Sequence, residues 1–216
     1  MPIILYQDAF LAVVEKPSGL LMHRSDIAPD KVTLVEKLQE LTGKKVFLPH
    51  RLDRQTSGVC VITFDSETAA ALQKLFSERT IRKSYLALVR GQFPDFLSVE
   101  RPLTDDSGKP KESKTEFACL QRYDQVSLIR ANPLTGRRHQ IRRHLAHQAH
   151  HIIGDTTYGK GGINREFRAK SNLHRLFLHA ESLVFVHPRT GVEMRVESVL
   201  PEELSSVLSL LKRVAN

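Results

Sequence analysis

The most chemically pointed feature of this chain is a single carboxylate flanked by guanidiniums, Asp53 in His50-Arg51-Leu52-Asp53-Arg54-Gln55-Thr56-Ser57-Gly58. An apolar run, Val59-Cys60-Val61-Ile62, comes next, so the charged segment delivers onto a strand, with Thr56, Ser57 and Gly58 supplying turn chemistry. Two readings fit the composition equally: an aspartate held ionised by arginines at the edge of a core, or a surface ion pair of small energetic weight. Tyr85 is the second candidate. It follows Arg82-Lys83 at the head of a strand-like run, and its hydroxyl either reaches a pocket or sits at the rim of a sheet. The third candidate is the basic stretch Gly136-Arg137-Arg138-His139-Gln140-Ile141-Arg142-Arg143-His144-Leu145-Ala146-His147. Ile141 and Leu145, four apart, would face the core of a helix begun by Thr135; Arg138 and Arg142 would share a side, and Arg143 and His147 would point elsewhere. Arg165, Arg168, Lys170 and Arg175 extend the basic character.

Other chemistries lack their residues. His144, His147, His150 and His151 lie close in sequence, but a zinc site needs three or four ligands in fixed geometry and the two cysteines are poorly placed to join them. There is no HExxH or EF-hand spacing, and no metal is expected. Neither GxxxxGK[ST] nor GxGxxG after a strand occurs, which disfavours nucleotide-hydrolysing and dinucleotide-using enzymes. Ser18, Thr56 and Ser57 have no histidine and acid at recognisable spacing, which argues against a serine hydrolase. Only 6% of the chain is aromatic, mostly inside apolar strand patterns, which is thin for an RNA-stacking platform. A metal-dependent nuclease would need clustered carboxylates that the sequence lacks.

Bulk properties bound the partners. Lysine and arginine number 32 against 24 acidic residues, a formal charge of +8, which attracts polyanions; nucleic acid is the first candidate and acidic metabolites the second. The 216 residues suffice for one sizeable core or a lobed domain. Cys60 and Cys119 read as buried free thiols in a reducing compartment. Asp8 and Glu15 interrupt what would have to be an apolar leader, and no stretch approaches a membrane span, so the expected location is cytoplasmic.

The elements that must position these residues mix strands and helices without regular βαβ alternation. Strands are expected over 3–6, 10–14, 59–64, 83–90, 115–121 and 126–131, with a hairpin of 183–186 and 192–196 about Pro188-Arg189-Thr190-Gly191. A polar loop is expected through Pro29. Helical spacing marks Leu34, Val35, Leu38 and Leu41, ending near Gly43; a second helix capped at Asp65 or Ser66 with Ala69, Leu72, Leu75 and Phe76; and a last one opened by Pro201. A short helix is read over 174–180, and 102–113 as an exposed flexible loop. The pattern favours α+β with a mixed, mainly antiparallel sheet.

Four blocks in order carry a family resemblance. Leu5-Tyr6-Gln7-Asp8 through Val14-Glu15-Lys16-Pro17-Ser18-Gly19, then His50 to Gly58, then Arg82-Lys83-Ser84-Tyr85, then Gly136 to Arg142 with Gly154-Asp155 and Tyr158-Gly159, resemble the motifs of the RluA-like family of RNA pseudouridine synthases, and within it the tRNA pseudouridine synthase C type. Glu15, Gln55 and Arg143 depart from the family's common Asn, Asp and Val. The doubled Arg142-Arg143 followed by His144-Leu145-Ala146-His147 is similar to the tRNA type.

The resemblance implies the pseudouridine synthase catalytic fold, a mixed sheet with flanking helices and a central cleft, as one domain over residues 1–216 without an N-terminal S4-like domain. It implies Asp53 as nucleophilic aspartate, Tyr85 as active-site tyrosine, Arg142 as the basic residue paired with Asp53, Arg51 as the residue filling the flipped uridine's place, and Ile141 as the apolar neighbour of the base. Arg54, Arg137, Arg138, Arg143, Arg165, Arg168 and Lys170 suit RNA-backbone contacts. The substrate implied is RNA, tRNA at uridine 65 of the T stem, with ribosomal RNA as the rival. A monomer with no cofactor, no membrane and no obligate protein partner is expected. A catalytically silent RNA-binding or chaperone protein is the alternative of a different class.

Overall fold

The computed structural model describes residues 1–24 and 32–214, so the loop read through Pro29 lies largely outside the described residues. In chain order the strands are β1 (Ile3–Gln7), β2 (Leu11–Lys16), β3 (Ser57–Thr63), β4 (Arg82–Arg90), β5 (Phe96–Glu100), β6 (Leu103–Thr104), β7 (Pro110–Lys111), β8 (Lys114–Arg122), β9 (Val126–Pro133), β10 (Leu178–Val186) and β11 (Glu193–Glu197). The helices are α1 (Leu34–Thr42), α2 (Ser66–Ser77), α3 (Gln140–His147), α4 (Gly161–Ser171) and α5 (Glu202–Ser209). The expected α+β class with a mostly antiparallel sheet is what forms.

Two compact units divide the chain: residues 1–82 with 180–199, and residues 83–179 with 200–216. In the first, β2 pairs antiparallel with β1 and β3, β10 lies beside β3, and β11 closes the Pro188–Gly191 hairpin onto β10. All seven residues of β3 are buried, so the strand carries a continuous apolar run rather than an alternation. Leu11, Val13, Val59, Val61, Leu72, Ile81, Leu183 and Phe185 form the core. Thr33 and Glu36 cap α1 reciprocally, and Asp65 caps α2 by accepting from the Thr68 N–H.

In the second unit β9 pairs with β4 and β8, and β5 forms the edge on β8, all antiparallel. Phe93, Phe117, Ile129, Ile141, Leu145, Phe177 and Leu204 belong to its core. Four sequence expectations fail here. Residues 102–113 carry the β6–β7 ladder, closed by Asp105, whose Oδ1 accepts from the Ser107 and Lys109 N–H groups. The helix read from Thr135 starts only at Gln140, because the Thr135 hydroxyl donates to Gln140 Oε1 and His139 adopts a left-handed conformation. That leaves Arg138 outside the helix. No helix covers 174–180; the chain enters β10 there, and the helix lies earlier, as α4. Cys119 is half-buried, whereas Cys60 is fully buried and its thiol is pushed up to about 12 by desolvation. Among the described residues no helix is long and apolar enough to cross a membrane.

Candidate active site

The Asp53 loop is held from beneath by the first motif. Lys16 is fully buried at the end of β2, and its ammonium donates to the carbonyls of Pro17 (2.9 Å), Leu20 (3.0 Å) and Arg54 (3.1 Å). A buried cation requires such saturation with acceptors, since without them its desolvation would be prohibitive. Two more bonds tie the same segments: the Gly19 N–H donates to the Arg54 carbonyl at 2.8 Å, and Arg54 Nε donates to the Gly19 carbonyl at 3.0 Å. Ser18 Oγ adds a bond to the Gln55 carbonyl at 2.8 Å. Within the loop the Thr56 N–H closes a turn on the Asp53 carbonyl, and Leu52 anchors it in the interior while Arg51 and Arg54 are exposed.

Its two ends are equally fixed. His50 Nε2 accepts from the Val61 N–H at 3.0 Å, which places the ring proton on Nδ1, and its ring stacks on Phe76 at 4.6 Å. Gly58 has φ +111, and a Cβ there would lie 2.2 Å from the Ala180 carbonyl oxygen, so only glycine lets β10 approach. Asp53 is therefore a half-buried carboxylate on a loop rigid by construction, which suits a group that must act with defined direction.

Tyr85, Ile141 and Arg142 belong to the second unit. Tyr85 is half-buried on β4, opposite Ala131 of β9. Two residues before it, Lys83 donates to the Thr135 carbonyl at 3.2 Å, and burial lowers its ammonium to about 8. Ile141 is buried in the core and fixes the register of α3. Arg142 grips Asp155 with two parallel bonds, Nε to Oδ2 at 2.8 Å and Nη2 to Oδ1 at 2.9 Å. Oδ1 also accepts from the N–H groups of Thr157 and Tyr158. Burial alone would raise the Asp155 carboxyl, but the Arg142 bonds and the two N–H groups outweigh it and hold the group below the ordinary range. The Tyr158 ring faces the Arg142 guanidinium at 5.1 Å, and its hydroxyl meets His139 Nδ1 at 3.1 Å. The plane of Arg142 is thus set by a fork on one side and an aromatic ring on another.

Known proteins are similar to this chain along most of its length. Residues 11–147 match the family model described as RNA pseudouridylate synthase, a span that takes in the Asp53 loop, Tyr85 and Arg142. The chain belongs to the RNA pseudouridylate synthase family. It is 36% identical to the tRNA pseudouridine synthase C of Haemophilus influenzae over 95% of this chain and 96% of that protein. It is 38% identical to the ribosomal large subunit pseudouridine synthase C of Escherichia coli O6:H1 over 97% of this chain and 70% of that protein. Among solved structures, Human RNA Pseudouridylate Synthase Domain Containing 4 superposes with a TM-score of 0.81 at 27% identity, covering 99% of this chain and 94% of that one.

In this pseudouridine synthase the basic residues singled out from the sequence divide into two groups. Arg137 Nε donates to the Glu112 carbonyl, Arg138 pairs with Asp106 at 2.7 Å, and Arg143 donates to the Thr104 carbonyl and hydroxyl, both at 2.9 Å; all three hold the β6–β7 hairpin. Lys170 pairs with Glu166 at 2.6 Å. Arg165 and Arg168 are exposed on α4 and line a cavity. Of the clustered histidines, His144 is wholly buried, bonded to Ser113, Thr115 and the Arg101 carbonyl, which makes it a strut. Sequence reasoning missed Asp155 as the partner of Arg142, Lys16 as the post under the loop, and Asn164. The first two stand in quoted motifs, but their partners emerge only on folding.

Proposed function

We propose that this pseudouridine synthase converts a uridine of tRNA, uridine 65 on the T-stem side, to pseudouridine, with Asp53 acting at the ribose. The observation carrying the reading is the similarity to proteins named tRNA pseudouridine synthase C along nearly their whole length, with Asp53 inside the span of the family model. The isomerisation breaks N1–C1′, joins C5 to C1′, moves the C5 proton away and returns a proton to N1. It is redox-neutral and consumes no water, so no cofactor is called for.

A carboxylate must be ionised and aimed when the base departs. The rigid Asp53 loop supports that role. Arg142 is the basic residue assigned to partner Asp53 in the reaction. The Asp155 fork engages Nε and Nη2, which supports this by fixing the guanidinium's plane. Tyr85 assists proton loss at C5, Ile141 packs against the base as it turns, and Arg51 fills the space the flipped uridine leaves, at an unstacking cost of a few kcal/mol. Arg54, Arg137, Arg138, Arg143, Arg165, Arg168 and Lys170 supply backbone contacts.

The test is pseudouridine mapping of total RNA from cells with and without the gene, complemented by wild type or Asp53→Ala. One tRNA site lost and restored by wild type alone is the expected result. A site lost in large-subunit ribosomal RNA would transfer the substrate to the reading suggested by the Escherichia coli relative. No lost site would sink both.

A further inference from the structure

α4 was invisible to the sequence because none of its residues is buried, which raises the question of what it does. It borders a cavity of about 230 Å³ whose wall includes Asp155, Gly159, Gly161, Asn164, Arg165 and Arg168. Gly159 and Gly161 place no side chain in that wall, and a Cβ at Gly161 would already touch Arg165 Nη1 at 3.5 Å. Asn164 is spent on the neighbouring loop: its Oδ1 accepts from the Gly154 N–H at 3.0 Å and its Nδ2 donates to the Asp155 carbonyl at 2.8 Å.

The charge balance of this cavity is lopsided. The Asp155 carboxylate is neutralised by Arg142 and saturated by four hydrogen bonds. Arg165 and Arg168 are three apart on one helix face, and neither guanidinium makes a hydrogen bond or ion pair with another described residue. The other basic candidates nearby behave differently: Lys170 is paired with Glu166 and Arg175 with Glu203. Two uncompensated guanidiniums converging on one concave surface match an oxyanion with several acceptor oxygens, for which arginine forks are the preferred donors.

We propose, on the reading that RNA is the substrate, that this cavity is a subsite for one RNA backbone phosphate held by Arg165 and Arg168. The subsite also touches the catalytic machinery through a short covalent and hydrogen-bonded route. Asn164, between the two arginines, clamps Gly154 and Asp155, and Asp155 holds Arg142. A phosphate seated on α4 therefore braces the loop that orients Arg142.

The experiment compares wild type, Arg165→Ala/Arg168→Ala and Arg165→Lys/Arg168→Lys for binding of unmodified tRNA across a salt series. Each phosphate contact contributes roughly 0.7–0.9 to the slope of log K against log salt, so the alanine pair lowers the slope by about that much and raises Kd roughly tenfold at low salt. The lysine pair keeps the slope close to wild type and recovers part of the affinity. In turnover, the alanine pair raises KM and, with the Arg142 loop unbraced, also lowers kcat. An unchanged slope and Kd in the alanine pair would overturn the subsite, as would a lysine pair that loses as much slope as the alanine pair. Inorganic phosphate supplies a second arm: if it shifts the amide resonances of Gly161 and Arg165 while the RNA slope is insensitive to both variants, the cavity binds a free anion and the RNA assignment falls. Binding is read without catalysis, so a wild type that binds RNA with full slope but forms no pseudouridine would refute the enzymatic reading separately.

Discussion

Arg142 and Asp155 meet as a two-bond fork with side chains 8% and 1% exposed, and this pair joins α3 to the loop before α4. A pair so thoroughly removed from water has little net worth against a hydrophobic replacement, but removing one member strands the other. Asp155→Asn therefore costs about 3 kcal/mol or more, read as a lowered midpoint in urea, and disorders the plane of Arg142. Turnover falls further than the stability loss explains at temperatures where the variant is fully folded. Activity equal to wild type in the folded variant would remove Arg142 orientation from the mechanism.

The same carboxylate makes stability pH-dependent. The folded state holds Asp155 below its unfolded value near 3.8, so its contribution is complete above that value and is lost as pH falls through the folded value. Between pH 5 and pH 3 the stability gap between wild type and Asp155→Asn narrows. Chemical denaturation at both pH values measures it.

Lys83 works in the opposite direction. Burial lowers its ammonium from 10.5 to about 8, so between those values the unfolded chain binds more protons than the folded one and stability rises with pH. The cost of burying the charge is fully present below pH 8 and is relieved towards pH 10. Lys83→Met removes that dependence, and denaturation curves of wild type and variant at pH 7 and pH 10 should differ in spacing accordingly.

Asp53→Asn abolishes pseudouridine formation, by more than about a thousandfold, while leaving RNA affinity and thermal midpoint near wild type. Single-turnover assays and equilibrium binding on the same preparation separate the two. Residual activity within tenfold of wild type would reassign the carboxylate.

Gly58→Ala sets a new methyl 2.2 Å from the Ala180 oxygen at φ +111 and forces β3 and β10 apart, for a loss of about 3 kcal/mol or more. Gly108 supplies the control. Its φ of +77 is equally unsuited to alanine, but nothing lies within 4 Å, so Gly108→Ala costs only about 1 kcal/mol. Thermal melts of the two variants distinguish steric blockade from backbone preference.

Periodicity made the first unit legible, because its strands and helices bury what the pattern says they should. Val59-Cys60-Val61-Ile62 reads as a buried strand from its branched run alone, and the helical spacing of Leu34, Val35, Leu38 and Leu41 marks α1. The second unit hid more. α4 buries no residue fully and offers only Ile163 and Phe167, a single partly buried pair four apart, as apolar period. β5 is an edge strand with a single buried residue, and β6 and β7 are two residues each, too short to alternate. Leu176-Phe177-Leu178 is an apolar run that periodicity cannot divide between helix and strand. In the candidate site, residue types near Asp53 and Arg142 were readable, but the Asp155 fork and the Lys16 cage depend on closing loops, which no spacing encodes.

The discontinuity of the first unit has a consequence for synthesis. Its strand β3 is shaped at Gly58 to receive Ala180, which leaves the ribosome only after the intervening 83–179 stretch has been made. At bacterial-scale elongation of about 5–20 residues per second, β3 waits roughly 6 to 25 s with one long edge unfilled. During that interval a mostly apolar strand is open to pairing with other nascent chains, which makes the hours-old enzyme and the half-made one very different aggregation risks. Leu204 and Val207 of the second unit's core are made later still, so neither unit is complete until late in synthesis.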